Sequence, residues 1–278
     1  MKNIEKFSAI LPIYKKVDFK IFKKSLESIV NQSLLPNELL IIFDGPIKAS
    51  IKIFLKKKIK KYKFIKIINF PTNNGLGYIL QRAVKLCKYE YIARCDSDDI
   101  SKLNRFKIQM DFLVKNKKID VLGSNIIELE KNKFFSLKKV SKNDSQIKKI
   151  INFKNPINHS SVIFRKSTIM KCGNYENVNF FEDYYLWFKV YRSNGVFCNL
   201  ENILVMMKVD DDFFRRRSGF KYYKMYFNFL KKLKINGYIG SSLFLINCIL
   251  RFFIVLLPIK FMKKFYKTFL RKKITYIT

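Results

Sequence analysis

The sequence predicts an α/β protein with a mainly parallel central sheet, followed by amphipathic helices at its C-terminal end. Apolar runs and amphipathic stretches alternate four times within about the first 100 residues, as in parallel sheets whose strands are joined by helices. Apolar residues make up 49% of the 278 residues, enough to bury a substantial core. From residue 213 onward the chain carries 16 of its 56 basic residues and no acidic one, which sets this last stretch apart.

Four apolar runs in the first half have the length expected of buried strands. The stretches between them have helical spacing, and the first helix is expected to end before Pro36. The predicted strands are Phe7–Ile13, Glu38–Phe43, Phe64–Phe70 and Tyr91–Cys95, and the predicted helices are Ile21–Val30, Ile47–Tyr62 and Leu76–Cys87.

The second half mixes strands and helices less regularly. A strand pair is followed by a helix, a strand, a second helix and a pair of short strands. These predicted elements are the strand pair Ile119–Leu129 and Phe134–Val140, the helix Asp144–Phe153, the strand Ser160–Phe164, the helix Asp183–Ser193 and two short strands within Val196–Lys208.

Polar side chains follow three of the predicted parallel strands at the point where each strand ends. Tyr14 follows the first strand, Asp44-Gly45 the second, and Asp96-Ser-Asp-Asp99 the fourth. Ligands of such sheets bind beyond the carboxyl ends of the strands, which meet at one edge. The sequence therefore predicts a binding site at this edge.

The run Asp96-Ser-Asp-Asp99 is the sharpest local feature. Three carboxylates within four residues repel one another unless a positive charge lies between them. Mn²⁺ and Mg²⁺ prefer such oxygen ligands and commonly bridge one or two carboxylates to substrate phosphates. The alternative is a solvated acidic turn that caps the next helix.

Taken together, these features resemble the family 2 glycosyltransferases, in particular the amylovoran-type exopolysaccharide and lipopolysaccharide transferases. The resemblance extends from about Phe7 to Tyr223 and implies the glycosyltransferase A fold, whose central sheet is Rossmann-like. The segments that carry it are Phe7–Tyr14, Leu39–Gly45, Asn73-Asn-Gly-Leu-Gly77, Ala93-Arg-Cys-Asp-Ser-Asp-Asp99, Asn155–Arg165, Gly173-Asn-Tyr175 and Glu182-Asp-Tyr-Tyr-Leu-Trp187.

The resemblance implies a nucleotide-sugar donor, with UDP as the nucleotide that the family most often uses. The residues that it assigns to this donor are Pro12 and Tyr14 in the nucleobase pocket, Asp44 on the base, Asn74 and Gly75 in the loop near the nucleotide, Arg82 toward the diphosphate and Asp96 near the ribose. One departure is Phe43, which stands where the family usually has a second acidic residue.

The resemblance also implies a Mn²⁺ or Mg²⁺ ion that offsets the charge of the departing nucleoside diphosphate. Asp98 is its expected ligand, while Asp99 either assists or caps the following helix. His159, the single histidine, either completes the metal site, contacts the phosphates or is structural.

The catalytic base implied by the resemblance is Asp183. A carboxylate beside the acceptor hydroxyl fits a single in-line displacement, which inverts the anomeric configuration. The alternative is that Glu182 and Asp183 only favour the N-terminus of their helix through its dipole.

The last stretch predicts contact with an anionic membrane surface. Phe220–Leu233 and Phe261–Leu270 mix aromatic residues with lysines, as interfacial helices do. Leu243–Ile259 is short for a membrane span and contains Arg251. The alternatives are an amphipathic helix packed on the rest of the chain and a true span.

We therefore expect a catalytic domain over residues 1–212, with a nucleotide-sugar-binding half at 1–100 and an acceptor-binding half at 101–212, and a membrane-associating tail at 213–278. Five scattered cysteines and a polar N-terminus predict reduced thiols and a cytoplasmic protein attached to the inner face of the membrane. The acceptor is expected to be a glycan or glycolipid.

Three rival functions remain. A sugar nucleotidyltransferase would have a glycine-rich loop after the first strand, where Ile13-Tyr14-Lys15-Lys16 stands. A hydrolase with an Asp-Ser-Asp nucleophile would carry this motif after the first strand. A non-catalytic basic protein that binds membranes or nucleic acid is the third, although no motif for a specific nucleic acid is present.

Overall fold

One sheet of nine strands runs through the part of the chain that the computed structural model describes, which is residues 5–131, 133–265, 268 and 271. Eight strands follow the order β3-β2-β1-β4-β8-β6-β9-β5, and β7 pairs with β6. The strands are β1 (Phe7–Tyr14), β2 (Glu38–Asp44), β3 (Ile65–Phe70), β4 (Tyr91–Arg94), β5 (Ile100–Ser101), β6 (Val121–Glu130), β7 (Lys133–Lys138), β8 (Ile163–Arg165) and β9 (Phe197–Lys208).

Helices cover both faces of this sheet. They are α1 (Phe19–Val30), α2 (Ala49–Lys61), α3 (Leu76–Leu86), α4 (Arg105–Lys115), α5 (Asp144–Ile150), α6 (Lys166–Lys171), α7 (Glu182–Arg192), α8 (Asp211–Arg215), α9 (Gly219–Ile235), α10 (Ser241–Val255) and α11 (Ile259–Phe265). One apolar core lies between the sheet and α1, α2 and α4, and the other lies between the sheet and α3, α6, α7 and α9.

The mainly parallel sheet predicted from the sequence is confirmed. Strands β1 to β4 are mutually parallel, since β1 pairs with β2 and β4, and β2 with β3. Strand β8 is antiparallel to both of its neighbours, β4 and β6. The carboxyl ends of β1, β2 and β4 therefore lie at one edge, as the polar clusters predicted.

Two predictions for the second half are corrected. The two short strands predicted within Val196–Lys208 are one strand, β9, because bulges at Ser124 and Asn125 of β6 let pairing continue past the exposed Glu201 and Asn202. The predicted strand Ser160–Phe164 begins as a turn of 3-10 helix, His159–Ser161, and only Ile163–Arg165 pairs as a strand. Strand β5 was not predicted, and α4 was expected only as a helix of unstated bounds after Asp99.

The C-terminal helices pack on the preceding part of the chain. On α9, Tyr226 and Phe229 are buried, and Phe229 stacks on Phe181 with ring centroids 4.8 Å apart. Helix α10 lies against α9, and its outer face is apolar and exposed. The predicted boundary at residue 212 falls within α8 and stays a prediction.

Within the described residues, no helix is long and apolar enough to cross a membrane. Of the predicted segment Phe261–Leu270, residues 261–265 belong to α11, and positions 266, 267, 269 and 270 lie outside the described part. All five cysteines are described, and none forms a disulfide.

Candidate active site

Two cavities lie side by side at the carboxyl edge of the sheet. The first, which we call the edge cleft, has a volume of about 410 Å³ and lies over the ends of β1, β2 and β4. The second, the helix cavity, has a volume of about 420 Å³ and lies between the sheet, α7 and the C-terminal helices. Their common wall consists of Leu76, Arg94, Asp96, Met207, Phe213 and Arg217.

The edge cleft contains most of the predicted nucleotide-binding residues. Its lining includes Pro12, Tyr14, Asp44, Gly75, Asp96, Asp98 and Asp99. Tyr14 is 41% exposed at the end of β1, where loss of hydration and the Asp98 carboxylate raise the pKa of its phenol. An exposed aromatic ring beside a cleft offers a stacking surface for a nucleobase.

Asp44 holds the loop that follows β3. The backbone N–H of Asn74 donates to Oδ1 of Asp44 at 2.7 Å, and that of Gly75 donates to Oδ2 at 3.1 Å. Gly75 has a φ of +88°, which favours glycine at this position. Asn74 thus contacts Asp44 through its backbone, and it is absent from the cleft lining. Asp44 is expected to contact the nucleobase, and in the structure it also positions the loop that contains Asn74 and Gly75.

Arg94 and Asp96 form an ion pair at the common wall. Arg94 is 3% exposed on β4 and donates through Nη1 to Oδ2 of Asp96. The Asp96 carbonyl also accepts a hydrogen bond of 2.7 Å from the Ser25 hydroxyl on α1. These contacts fix the turn that carries Asp98 and Asp99.

Like charges crowd this turn. Loss of hydration and the neighbouring Asp96 raise the pKa of Asp98 to about 6, although its side chain is exposed to the cleft. Burial and the same neighbour raise the pKa of Asp99 well above its ordinary range. Asp99 accepts from the Lys208 N–H at 3.3 Å, while its Oδ2 is buried without a hydrogen-bond partner among the described residues.

These carboxylates fit a divalent cation, which would relieve their repulsion and bind the buried Asp99 oxygen. Within residues 5–131, 133–265, 268 and 271, no three His, Cys, Asp or Glu side chains are gathered to hold a metal by themselves. A cation at Asp98 and Asp99 would therefore need further oxygen ligands from phosphate or water, as Mg²⁺ usually does.

Among the described residues the structure does not gather His159 with these two aspartates, and contact of His159 with the donor phosphates stays a prediction. Its Nε2 lies 2.8 Å from the Tyr175 hydroxyl, and its ring contacts Trp187 edge-on at a centroid distance of 6.0 Å. Burial and the charge of Arg94 lower the pKa of His159 well below its ordinary range. His159 is therefore a neutral side chain in the wall of the helix cavity.

Glu182 and Asp183 lie in the helix cavity at the start of α7. The Asp183 carboxylate accepts hydrogen bonds of 2.7 Å from the Asn155 side chain and from the Tyr184 N–H. Burial raises the pKa of Asp183, and burial raises that of Glu182 from 4.5 to about 7. A fixed carboxylate of raised pKa beside a cavity is suited to accept a proton.

Arg82, like Asn74, is a predicted site residue that lines neither cavity. It is exposed on α3, with its guanidinium 5.3 Å from the centroid of the Tyr78 ring. Helix α3 begins at Leu76, which lines both cavities. Arg82 lies outside them because it is six residues later in this helix, about 9 Å further along its axis.

Three residues at the site were not selected from the sequence. Arg94 is a charged residue in a buried apolar strand, and this contrast could have identified it. Asn155 begins the segment Asn155–Arg165 that resembles the family, but its hydrogen bond to Asp183 joins positions 28 residues apart and could not be read from local sequence. Arg217 belongs to the basic run Arg215-Arg-Arg-Ser-Gly219, for which the sequence left three alternatives open: contact with the diphosphate, contact with a lipid phosphate of the acceptor, or a solvated turn. In the structure Arg217 lies at the common wall.

Known proteins resemble this chain over most of its length. The model of glycosyl transferase family 2 matches residues 8–173. A UDP-Gal:α-D-GlcNAc-diphosphoundecaprenol β-1,3-galactosyltransferase of Escherichia coli is 33% identical over 273 residues, covering 96% of this chain and 97% of the relative. The amylovoran biosynthesis glycosyltransferase AmsE of Erwinia amylovora is 28% identical over 265 residues, covering 94% of this chain and 98% of the relative.

A solved structure resembles the fold. The mannosyltransferase PcManGT of Pyrobaculum calidifontis, in complex with GDP-Man and Mn²⁺, superimposes with a TM-score of 0.63. The match covers 95% of this chain and 73% of that chain, at 9% identity. At this identity the likeness concerns the fold, and it agrees with the predicted glycosyltransferase A fold.

Proposed function

Because the chain belongs to glycosyl transferase family 2, we propose that it transfers a sugar from a UDP-sugar to a hydroxyl of a lipid-linked or polysaccharide glycan, with inversion at the anomeric carbon. One observation carries this proposal. The cavity that contains the predicted donor residues shares a wall with the cavity that contains Asp183, so that two substrates can meet there.

The donor nucleotide binds in the edge cleft. Tyr14 and Pro12 face the base, and the loop held by Asp44 closes one side of the cleft. The name of the Escherichia coli relative specifies UDP-Gal, which favours uridine as the base for this chain.

Asp98 and Asp99 would hold a Mn²⁺ or Mg²⁺ ion together with the donor diphosphate. The ion supplies positive charge beside the leaving group. Arg216 also lines the edge cleft, where its charge acts on the carboxyl of Asp98, so that it contributes positive charge on the same side. Mn²⁺ is present in the solved mannosyltransferase of the same fold.

Asp183 acts as the general base in the helix cavity. It takes the proton of the acceptor hydroxyl while the hydroxyl oxygen forms a bond to the anomeric carbon. The bond between this carbon and the donor phosphate oxygen breaks on the opposite side, and the nucleoside diphosphate leaves with the electron pair. A single displacement of this kind inverts the configuration.

The acceptor is presented at the cytoplasmic face of a membrane. The relative from Escherichia coli is named for a diphosphoundecaprenol-linked acceptor, and lipid-linked acceptors of this kind lie in a bilayer. On this chain, α10 exposes Leu245, Ile249 and Phe253 on one apolar face, with exposures of 58%, 48% and 64%. The absence of acidic residues after Asp212 favours attachment to anionic lipid.

Thermal unfolding with a panel of nucleoside diphosphates tests the donor site. UDP with Mn²⁺ is expected to raise the midpoint by about 5 °C or more at a concentration 100-fold above Kd, since it binds only the folded state. Asp98→Ala should lose this shift, while Asp111→Ala, a change at an exposed carboxylate on α4, should keep it. If no nucleotide raised the unfolding midpoint of the folded protein, the transferase proposal would fail in favour of a basic binding protein.

The configuration of the product tests the mechanism. NMR of the product of an α-linked UDP-sugar should show a β linkage. An α-linked product would overturn the single displacement and the role of Asp183 as base.

A further inference from the structure

Arg94 stands between the two cavities as a buried positive charge. It is the last residue of β4 and is 3% exposed, and its side chain lines both the edge cleft and the helix cavity. Burial of a guanidinium group is costly unless its N–H groups find acceptors. The acceptors of Arg94 therefore indicate the task of this position.

The hydrogen bonds of Arg94 are incomplete. Nη1 donates to Oδ2 of Asp96, and in the part of the chain that the structure describes no other acceptor contacts this side chain. Nε is buried and has no hydrogen-bond partner among those residues. A guanidinium group has five N–H donors in a fixed plane. A buried arginine that leaves most of its donors unused is suited to a ligand that supplies the missing oxygen atoms.

A second buried arginine, Arg105 on α4, shows the contrast. It is 1% exposed and lines neither cavity. All three of its nitrogen atoms have acceptors. Nη2 donates to the Arg94 carbonyl at 2.7 Å, Nη1 to the Ser101 hydroxyl at 3.0 Å and Nε to the Gln109 side chain at 3.2 Å. The two arginines are similarly buried, but only the one at the cavities lacks acceptors for its donors.

The sugar that is transferred must lie where the two cavities meet. In the proposed reaction its anomeric carbon is bonded to the donor diphosphate, which is expected beside Asp98 and Asp99 in the edge cleft. A hydroxyl beside Asp183, in the helix cavity, attacks the same carbon. The sugar ring is therefore expected against the common wall, which contains Arg94.

The common wall complements the two kinds of surface that a sugar ring has. Arg94 can donate hydrogen bonds and Asp96 can accept them, and a hydroxyl group does both. Leu76, Met207 and Phe213 add apolar surface for the C–H groups of the ring. A few polar groups on an apolar wall are typical of sites that orient a small ligand.

The charge of Arg94 also reaches the residues expected on both sides of the reacting carbon. Burial raises the pKa of Asp98 and that of Asp183, and the charge of Arg94 acts in the opposite direction on both. The guanidinium group therefore lies close to the expected leaving-group side and to the expected base. This agrees with a position beside the transferred sugar.

We propose that Arg94 is a specificity-determining residue that donates hydrogen bonds to a ring hydroxyl of the transferred sugar, with Asp96 as its partner. The assignment rests on the proposed function and extends it from the nucleotide to the sugar. The donor sugar is then a hexose that carries this hydroxyl. An analogue without it is rejected, because the buried N–H groups of Arg94 are left without an acceptor.

Calorimetric binding of a UDP-sugar and its monodeoxy analogues tests this contact in the full chain with Mn²⁺. The parent donor is whichever of UDP-galactose, UDP-glucose and their 2-acetamido forms raises the unfolding midpoint most. Wild-type protein should bind at least one analogue about 10- to 100-fold more weakly than the parent, as expected for loss of a hydrogen bond to a charged group.

Arg94→Lys keeps a positive charge beside Asp96 but removes the planar set of donors. It should weaken binding of the parent donor by the same factor and leave binding of the discriminated analogue within about threefold of wild type. Arg105→Lys is the matched control, since it makes the same change at a buried arginine outside both cavities. This control should keep the wild-type discrimination, and thermal unfolding reports whether each variant is folded.

Three results would overturn the assignment. The first is that wild-type protein binds every monodeoxy analogue within threefold of the parent donor, a result that needs no variant to fold. The second is that folded Arg94→Lys keeps the full wild-type discrimination. The third is that Arg105→Lys loses discrimination as completely as Arg94→Lys does, which would trace the effect to packing behind the site.

Steady-state kinetics separate this inference from the proposed function. Arg94→Lys should lower kcat/KM for the parent donor about 10- to 100-fold, while kcat/KM for the discriminated analogue and KM for the acceptor stay within about threefold. If wild-type protein transferred no sugar from any donor, the proposed function would fail. Discrimination between the parent donor and its analogues by Arg94 would still be measured in the binding experiment, which needs no acceptor.

Discussion

The side-chain amide of Asn155 donates a hydrogen bond of 2.7 Å to Oδ2 of Asp183. The other carboxylate oxygen of Asp183 accepts from the Tyr184 N–H, also at 2.7 Å. Both oxygens are therefore oriented, and the carboxylate can turn only by breaking one of these bonds. In the role proposed for it, a carboxylate fixed in this way would meet the acceptor hydroxyl in one geometry, which would lower the cost of reaching the transition state.

Asp183→Asn should nearly abolish transfer. The amide has the size of the carboxylate but cannot take a proton, and general-base catalysis contributes about 10²- to 10⁴-fold. We expect kcat to fall by this factor, while the thermal shift with UDP and Mn²⁺ stays within experimental error of wild type. If the variant retained a tenth or more of the wild-type kcat, Glu182 or a water molecule would have to be the base.

Asn155→Ala should move the pH dependence of transfer. The hydrogen bond from Asn155 favours the charged form of Asp183, so its loss raises the pKa of the base. Because only the carboxylate form accepts a proton, the acidic limb of the kcat profile should shift to higher pH by about one unit or more, given about 1.5–3 kcal/mol for such a bond. Asn116→Ala, at an exposed asparagine after α4, should leave the limb unchanged.

Asp44→Asn should loosen the loop at Asn74 and Gly75. One carboxylate oxygen becomes an NH₂ group that faces a backbone N–H, so a hydrogen bond is lost and two donors oppose each other. Asp44 is only 4% exposed, and we expect a loss of about 1–3 kcal/mol in the free energy of unfolding. Urea unfolding measures this loss, and weaker UDP binding should accompany it. Asp111→Asn, on the exposed face of α4, should cost less than about 0.5 kcal/mol.

Glu182→Gln should stabilise the protein at alkaline pH. The pKa of Glu182 is raised to about 7, so its neutral form is favoured in the folded state. The stability that this provides is fully present below the ordinary value of 4.5 and is lost as pH rises through about 7. Glutamine is neutral at every pH. The free energy of unfolding of the variant should therefore exceed that of wild type by up to roughly 3 kcal/mol above pH 8, and the two should be similar near pH 5.

Unfolding by urea at pH 5 and pH 8.5 checks this prediction. Glu201→Gln, a change at an exposed carboxylate, serves as the matched control and should show no such gain. Equal stabilities of wild type and Glu182→Gln at both pH values would contradict a raised pKa at this position.

The apolar face of α10 should bind anionic vesicles. In flotation with vesicles containing about one third phosphatidylglycerol, wild-type protein should float at low salt and less so at high salt, because screening weakens the attraction. Leu245→Glu with Phe253→Glu should reduce the bound fraction at least tenfold. Ile53→Glu alters an equally exposed apolar residue on α2 and should bind as wild type does.

The parallel half of the fold was predictable from local pattern. Each strand from β1 to β4 lies in a short apolar run that is followed by turn or polar residues. The bulged pairing of β6 with β9 was not predictable in the same way. The polar Glu201 and Asn202 interrupt the apolar pattern, while the Asn125 side chain donates to the Glu201 carbonyl and bridges the irregular register.

The site shows the same division. The acidic cluster Asp96–Asp99 is contiguous in the chain and directly follows the apolar run of β4, so it could be identified from the sequence. His159 looked like a third metal ligand, but its partners Tyr175 and Trp187 are 16 and 28 positions away. The pairing of His159 with these aromatic residues depends on how α7 packs on the sheet.

The sequence by itself determined the family, the positions of the parallel strands whose carboxyl ends carry Tyr14, Asp44 and Asp96, and the excess of positive charge in the last 66 residues. Only the tertiary structure decided that Arg217 lines both cavities whereas Arg216 lines the edge cleft alone, and that Arg251 points inward from α10. The physical reason is that local patterns depend on neighbours within a few residues, whereas the direction of a side chain on a packed helix depends on the surface it contacts.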